Sequence, residues 1–256
     1  MLNVKKKILS ALLALLSIGG FMEVAHADKA TCQQAFHKMY KEEKYRSIES
    51  KINYWLSVKS ECGGNGAYEY QLGKLYTYAK AYDKAETTFL DGLKLNTQFS
   101  RDLKLGIAEI ALHKSQFSDA FERFSSLQLE YPDWHIPYQK LGQLYIEADE
   151  QDKAIFNLEK SNQLKESADT YAALVITYYN VNRYDDSVAA LDKAIRLNPK
   201  IARHRQAMYA AALSHFSQKR YRQSGYVLSV LLKQDPSVSD DKMFQKLYLQ
   251  LEDYIK

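Results

Sequence analysis

The sequence predicts an all-α protein made of repeated antiparallel helix pairs, an α-solenoid, because three patterns recur with a period of about 34 residues. Amphipathic runs end at prolines, at Pro132, Pro199 and Pro236, where the ring and the missing N–H prevent the helix from continuing. Residues 72–76 (LGKLY) return as residues 141–145 (LGQLY). A small residue followed four positions later by a large apolar one recurs as Ala85/Phe89, Ala120/Phe124, Ala154/Leu158, Ser187/Leu191 and Ser224/Leu228.

Helical periodicity supports stacking of these pairs. Apolar residues at i, i+3, i+4 and i+7 make each helix amphipathic, and one pair alone cannot bury its apolar face. Gly73 and Gly142 fall inside predicted helices, where each costs about 1 kcal/mol relative to alanine. We therefore expect a second helix to approach these glycines too closely for a side chain. A non-repeating helical bundle is the alternative, but it does not account for the common period.

The N-terminus has the pattern of a Sec signal peptide. Residues 5–7 are three lysines, residues 8–22 are apolar or small, and residues 25–27 read Ala-His-Ala. This predicts cleavage between Ala27 and Asp28, and a periplasmic or secreted protein. An uncleaved membrane anchor is the alternative, but the apolar run is shorter than the roughly 20 residues that span a bilayer.

Two cysteines, Cys32 and Cys62, follow the predicted cleavage point. In an oxidising compartment they are expected to form a disulfide. On the chain-entropy model, closing this loop stabilises the fold by about 3 kcal/mol. The alternative is that both are unpaired small hydrophobic residues.

These motifs resemble the tetratricopeptide repeat family, whose repeats of about 34 residues each form two antiparallel helices. The resemblance implies a right-handed solenoid of about six helix pairs in one domain, residues 28–256, and it covers nearly all of that region. The family is united by shape, so the resemblance implies little about activity. The expected parts are a degenerate pair at 29–62, repeats at about 66–100, 101–134, 135–167, 168–201 and 205–238, and a capping helix at 239–256.

Composition and motif content point away from catalysis. The chain has 35 Lys and Arg against 31 Asp and Glu, and three of the lysines belong to the signal peptide, so nothing in the charge favours nucleic acid. We find no metalloprotease, Cys-x-x-Cys or nucleophile-elbow motif, and no histidine spacing typical of a metal site. We expect no catalytic residues, no metal, no cofactor and no stable membrane insertion after cleavage. Basic residues gather at 200–205 and 219–222, either as an acidic-partner patch or as ordinary solvated charge.

Resemblance also implies where a partner would bind. In this family the first helices of successive pairs line the concave face. Carried onto this chain, the concave-face positions are rich in tyrosine and aliphatic residues and poor in charge, which suits a protein interface. They are Tyr40, Tyr70, Lys74, Tyr78, Leu105, Glu109, Leu112, Gln139, Gln143, Ile146, Ile176, Tyr179, Tyr209, Leu213 and Phe216.

The expected function is a scaffold or adaptor that binds another protein or a peptide segment in the cell envelope, serving an assembly, secretion or export machine. A carbohydrate-binding module is the alternative, because aromatic platforms suit sugar rings and the chain has 20 tyrosines. In the C-terminal half, the same residues could instead pack against the C-terminal helix, which carries Phe244, Leu247 and Leu251.

Overall fold

The computed structural model describes residues 29–95 and 98–255, and within them every regular element is helical. The predicted signal peptide and its cleavage site lie outside the described residues. The helices are α1 Lys29–Lys41, α2 Ile48–Ser57, α3 Lys59–Cys62, α4 Ala67–Tyr78, α5 Tyr82–Leu93, α6 Ser100–His113, α7 Phe117–Glu130, α8 His135–Glu147, α9 Gln151–Leu164, α10 Ala168–Asn180, α11 Tyr184–Leu197, α12 Arg205–Ser217, α13 Tyr221–Gln234 and α14 Lys242–Ile255. Short 3₁₀ turns occupy Glu43–Tyr45, Pro199–Arg203 and Pro236–Asp240.

The all-α repeat architecture predicted from the sequence is confirmed. By its internal contacts the chain divides into two compact units, the first ending at Ile110 and the second beginning at Ala111. The single-domain organisation expected from the sequence stays a prediction. None of the helices between residues 29 and 255 has the length and apolar character needed to cross a lipid bilayer.

The first unit begins with a pair of helices joined covalently. A disulfide connects Cys32 on α1 to Cys62 at the end of α3, with the two Cα atoms 5.3 Å apart. This confirms the predicted bond. Met39 of α1 and Trp55 of α2 are buried beside it, and together with Leu72 of α4 they belong to one apolar cluster.

Phe89 of α5 is the centre of the second cluster in the first unit. A Cβ atom added at Gly73 of α4 would lie 2.3 Å from Cε1 of Phe89, and one added at Gly106 of α6 would lie 2.6 Å from its Cε2. The phenyl ring therefore packs directly on the backbone of both helices. This close approach is the reason for the glycine within α4.

The second unit repeats the same packing between α8 and α9. A Cβ atom at Gly142 would lie 2.6 Å from Cγ of Leu158. Where the small position of the second helix is serine rather than alanine, its hydroxyl donates to a carbonyl of the first helix. Ser187 donates to Val175 at 2.8 Å, and Ser224 donates to Ala212 at 2.7 Å.

From α4 to α13, the turns between paired helices share one backbone conformation. Five residues that are not glycine have φ between 57° and 62°, the left-handed region. The residue after each donates its N–H to the carbonyl five positions earlier, as from Ala81 to Tyr76 at 2.9 Å, which ends the first helix with a Schellman-type bond. The left-handed residues are Lys80, Ser115, Asp149, Asn182 and Lys219.

The C-terminal helix α14 packs on α13 and contributes Phe244, Leu247 and Leu251 to the core of the second unit. Its first turn is capped by the Asp241 carboxylate, which accepts from the backbone N–H of Met243 at 2.8 Å. A carboxylate at this position also interacts favourably with the positive end of the helix dipole.

Two of the basic residues noted in the sequence have acidic partners in the same unit. Arg205 pairs with Asp235, with Nε and Oδ2 2.8 Å apart, and Arg220 pairs with Asp185, with Nη1 and Oδ1 2.9 Å apart. These two arginines therefore hold neighbouring segments of the second unit together.

Candidate partner-binding surface

In the first unit, the predicted contact residues of α1, α4 and α6 come together. Tyr40 of α1 and Tyr78 of α4 are 50% and 61% exposed. Burial raises the pKa of Tyr40, and so does the nearby Tyr78 phenol. The two rings, one from each helix, are therefore close neighbours on an accessible face.

Tyr70 extends this face toward α6. Burial raises the pKa of the half-buried Tyr70, and the carboxylates of Asp102 and Glu109 on α6 raise it further, followed by Tyr78. The ammonium group of Lys74 lies 5.4 Å from the centroid of the Tyr70 ring, within range of a cation–π contact. Leu105 is half-buried on α6. We call the set Tyr40, Tyr70, Lys74, Tyr78, Leu105 and Glu109 the tyrosine surface.

In the second unit the predicted residues are less accessible. Five of them are half-buried against the core of that unit. Leu112 and Gln139 are also half-buried, and Gln143 is exposed. The five that pack against the core are Ile146, Ile176, Tyr179, Leu213 and Phe216.

The prediction that Tyr209 belongs to the exposed contact surface is wrong. Its side chain is only 6% exposed and belongs to the core. Burial is the main cause that raises the pKa of Tyr209, and the carboxylate of Asp241 at the start of α14 adds to it. The C-terminal segment thus covers this position, which was the alternative recognised for the C-terminal half of the sequence.

A cavity of about 300 Å³ adjoins the disulfide in the first unit. In its aromatic wall, the rings of Trp55 and Tyr68 stack at a centroid distance of 5.4 Å with 12° between their planes. The Trp55 indole N–H also donates to the carbonyl oxygen of Tyr68 at 3.1 Å. The lining residues are Cys32, Gln33, Phe36, Trp55, Asn65, Ala67, Tyr68, Gln71 and Phe99.

The polar groups of this cavity are all uncharged. Asn65 accepts the backbone N–H of Tyr68 at 2.9 Å and so caps α4. The Tyr68 side chain is 2% exposed, and its hydroxyl has no hydrogen-bond partner within the described ranges. Burial, aided by the Glu69 carboxylate, raises the pKa of Tyr68 to about 12, so the phenol stays protonated at neutral pH.

Sequence reasoning did not single out this cavity. Its residues come from α1 and α2 of the degenerate first pair, from the loop after the disulfide and the start of α4, and from Phe99 just before α6, so no single motif contains them. The available signal was the presence of Trp55 and several other aromatic residues beside the predicted disulfide.

Metal-ligating clusters are absent from the part of the chain that the structure describes: no group of three or more His, Cys, Asp or Glu side chains is placed to hold an ion. Of the histidines, His204 caps α12 by accepting the backbone N–H of Ala207 at 3.3 Å, and His215 is buried in the second unit.

Comparisons with known proteins agree with this architecture. Family models described as tetratricopeptide repeat match residues 137–167 and residues 172–239. A search of curated protein sequences finds no match.

Solved structures with a similar fold match a larger part of the chain than the family models do. The crystal structure of YrrB, titled a TPR protein with an unusual peptide-binding site, has 14% identity and a TM-score of 0.58, over 78% of this chain and 97% of that one. The MamA crystal structure has 18% identity and a TM-score of 0.57, over 71% and 97%. In the APC/C hetero-tetramer Cut9–Hcn1, a chain with 15% identity and a TM-score of 0.64 is matched over 87% of this chain and 46% of that one.

The glycine-mediated helix contacts, the repeated left-handed turns and the family matches lead to the same conclusion: the chain contains tetratricopeptide repeats at residues 137–167 and 172–239, and its helix pairs share the fold of tetratricopeptide repeat proteins.

Proposed function

We propose that this protein is a non-catalytic scaffold or adaptor of the bacterial periplasm, which binds a segment of another protein and serves an envelope assembly, secretion or export machine. The tyrosine surface is the principal contact in the first unit. The half-buried apolar residues of α8, α10 and α12 are secondary contacts in the second unit.

The observation that carries this proposal is the grouping of three tyrosines on the first helices of adjacent pairs, two of them at least half exposed. Tyrosine buries a large area with few rotatable bonds and keeps a polar hydroxyl, which is why it is enriched at the energetic centres of interfaces. The single lysine and single glutamate of the surface leave it close to neutral, which favours an uncharged segment over a strongly charged one.

Two of the similar structures support this proposal. YrrB is described as having a peptide-binding site, and Cut9–Hcn1 is an assembly of different chains. Both share the fold with this protein, and in this fold stacked first helices offer a groove for a peptide or helix.

The carbohydrate-binding alternative rested on the large number of tyrosines. Five of them are buried in the structure and are therefore not available as a platform for sugar rings. They are Tyr68, Tyr138, Tyr171, Tyr178 and Tyr209. No observation favours a glycan over a protein, and the glycan stays an outcome of the experiment below.

The proposed location rests on the signal-peptide pattern and is supported by the disulfide. Disulfides persist in the oxidising envelope and are rare in the cytosol.

The test is capture of partners from envelope extracts by residues 28–256, with chemical cross-linking and mass spectrometry for proteins and sugar analysis for glycans. We expect one protein to be enriched specifically. The double variant Tyr40→Ala/Tyr78→Ala should reduce its capture by at least tenfold, because each contact tyrosine contributes about 1 kcal/mol or more. Both side chains are exposed, so the fold should be retained.

Tyr226→Ala is the matched control, since Tyr226 is 70% exposed on a second helix. It should leave capture unchanged. Equal losses for the two variants, or capture that resists the double substitution, would refute the assignment of the surface. Enrichment of a glycan without protein would refute the scaffold itself.

A further inference from the structure

The C-terminal helix α14 occupies the place of a first helix. Both α12 and α14 follow a 3₁₀ turn that begins at a proline, at Pro199 and Pro236, and each helix starts six positions after that proline. Both pack on the second helix of the preceding pair, α12 on α11 and α14 on α13. Among the residues that the structure describes, α14 has no second helix of its own.

Leu249 marks the face that such a second helix would cover. It is the eighth residue of α14, as Ala212 is the eighth residue of α12. Ala212 is completely buried, and Ser224 of the second helix donates its hydroxyl to the Ala212 carbonyl. Leu249, by contrast, is 69% exposed. The leucine therefore lies on an open face at the position where the other pairs bring two helices together.

The size of the Leu249 side chain decides what kind of helix can pack there. The eighth residue of α8 is Gly142, where a Cβ atom would already lie 2.6 Å from Cγ of Leu158 on the second helix. A leucine at this position leaves no room for a helix that approaches so closely. It suits a helix at the ordinary separation of about 8–10 Å, at which the side chains of both helices interdigitate.

The charges on this face are ordered along the helix. Residues three, four and seven positions from Leu249 share its face of the helix. They are Lys242 and Lys246 on the N-terminal side, and Glu252 and Asp253 on the C-terminal side. All four are exposed, and none forms an ion pair with another residue in the described ranges. The face is thus basic in its first half, apolar at its centre and acidic in its second half.

This order of charges is complementary to itself in an antiparallel arrangement. A two-fold axis through Leu249 places each residue opposite the one that lies equally far beyond Leu249 in a second copy. Lys246 of each copy then faces Glu252 of the other, and the two Leu249 side chains meet at the axis. Parallel pairing would instead bring like charges together. A two-fold dimer requires a self-complementary face, and this face has one.

We propose that the protein self-associates through α14, which packs antiparallel on α14 of a second copy around Leu249. The two contacts between Lys246 and Glu252 fix the register. One helix face is small for a protein interface, so we expect a reversible dimer with a Kd on the order of 10 µM. This inference goes beyond the proposed function and does not depend on it. A dimer would carry two tyrosine surfaces and could bind an assembly that repeats its segment more tightly than a monomer.

The first test measures self-association of residues 28–256 by sedimentation velocity, at concentrations from about tenfold below to about thirtyfold above the expected Kd. Leu249→Asn should weaken the dimer by about tenfold or more, because it removes the apolar centre. Leu129→Asn is the matched control, since Leu129 is a leucine of α7 that is 82% exposed. It should leave the Kd unchanged. Both side chains are exposed, so both variants should fold.

Charge reversal tests the antiparallel register. Lys246→Glu and Glu252→Lys should each weaken the dimer by about tenfold or more, because each turns two attractive contacts into two repulsive ones. The double variant Lys246→Glu/Glu252→Lys reverses both ends of the face and should restore the parent affinity. An equimolar mixture of the two single variants should also associate, since each supplies the charges that the other lacks.

The contrary outcomes are distinct. A chain that stays monomeric over the whole concentration range refutes the inference, and so does a dimer that withstands Leu249→Asn. A dimer that neither the double reversal nor the mixture restores refutes the antiparallel pairing on which the inference rests. If a monomeric chain captures a protein from envelope extracts only while Leu249 is present, the face serves another partner and the inference is wrong. The scaffold is tested separately, by capture that depends on Tyr40 and Tyr78.

Discussion

At the residue scale, the tight packing of Phe89 illustrates how one ring depends on the absence of side chains around it. Gly73 and Gly106 lie on two different helices, and the ring of Phe89 is within 3 Å of the Cβ position of each. Glycine inside a helix is unfavourable by itself, so both positions are explained by the space that the ring requires.

Gly73→Ala is therefore expected to destabilise the first unit, although alanine is the better helix former. Overpacking typically costs about 1–3 kcal/mol, which exceeds the gain of about 1 kcal/mol in helix propensity. Urea unfolding followed by Trp55 fluorescence in the Trp134→Phe background measures the change. Combining Gly73→Ala with Phe89→Leu should cost less than the sum of the two single changes, and strictly additive costs would show that the ring does not cause the effect.

His215 is a second residue whose environment has a measurable consequence. It is buried, and burial lowers its pKa below 6.5, with a further lowering by Arg220 that outranks the opposite effects of Asp192 and Asp185. The unfolded chain then binds a proton more readily than the folded one. The stabilising contribution is present above the unfolded pKa of about 6.5 and is lost as the pH falls toward the lowered folded value.

We accordingly expect the free energy of unfolding to fall as the pH is lowered from about 7 to about 5, and His215→Gln to make this fall smaller. Chemical unfolding at several pH values provides the measurement. His37→Gln is the matched control, because it removes an exposed histidine instead of a buried one. A profile for His215→Gln identical to that of the parent would contradict the role of burial at this histidine.

At the residue scale, predictions from sequence succeeded for close helix contacts, which depend on local backbone geometry. They failed for the exposure of individual side chains. A helical glycine in a repeated motif predicted a close helix contact at Gly73 and Gly142, and the structure shows it. Tyr209 occupies the repeat position of a surface residue but is buried, because its exposure depends on the C-terminal segment around Asp241 and not on its own repeat. The unpartnered hydroxyl of Tyr68 could not be predicted either, because its burial depends on residues outside its own repeat.

At the element scale, the repeated turn between paired helices uses a left-handed residue without ever using glycine for it. Residues with a side chain pay a steric penalty in this conformation, of about 1–2 kcal/mol in regular left-handed structure. The turn is nevertheless kept in the five pairs from α4 to α13, because its backbone hydrogen bonds end one helix and set the direction of the next.

Replacing a left-handed residue by glycine should therefore stabilise the protein. Ser115→Gly, at an exposed position with φ of 57°, is expected to raise the free energy of unfolding by up to about 1 kcal/mol. The same change inside an exposed helix position, Ser126→Gly, should instead lower it by about 0.5 kcal/mol. Equal effects of the two substitutions on thermal unfolding would show that the turn conformation is not responsible.

The disulfide-linked first pair is the element with the strongest covalent constraint. Cys32 and Cys62 are 30 positions apart, and the chain-entropy model gives about 3–4 kcal/mol for a loop of this size. We expect Cys32→Ala/Cys62→Ala to lower the stability of the first unit by that amount in urea unfolding followed at Trp55. Reductant should lower the parent similarly and leave the variant unaffected. If reductant weakens both proteins alike, the disulfide is not the cause.

At the scale of the whole molecule, the helix-pair architecture could be predicted because short local sequence patterns encode each pair and recur along the chain. Each of the five copies carries the small residue followed four positions later by a large apolar one, so a copy that is ambiguous alone is identified by comparison with the others. The candidate site was less accessible to prediction. Its first-unit part depends on contacts between Tyr40, Tyr78 and Tyr70 on neighbouring pairs, and its cavity combines side chains from four separate segments.

Export of the chain remains a prediction about the whole molecule, and one measurement tests it together with the redox state. We expect protein recovered from the envelope fraction of expressing cells to begin at Asp28, since small residues at positions 25 and 27 suit signal peptidase. Its intact mass should match residues 28–256 minus two hydrogens, because an oxidising compartment closes the Cys32–Cys62 bond. Reductant should restore those two hydrogens. A chain retained at full length in the cytosolic fraction with both thiols free would contradict the proposed location, and the tyrosine surface would then have to be matched to a cytosolic partner.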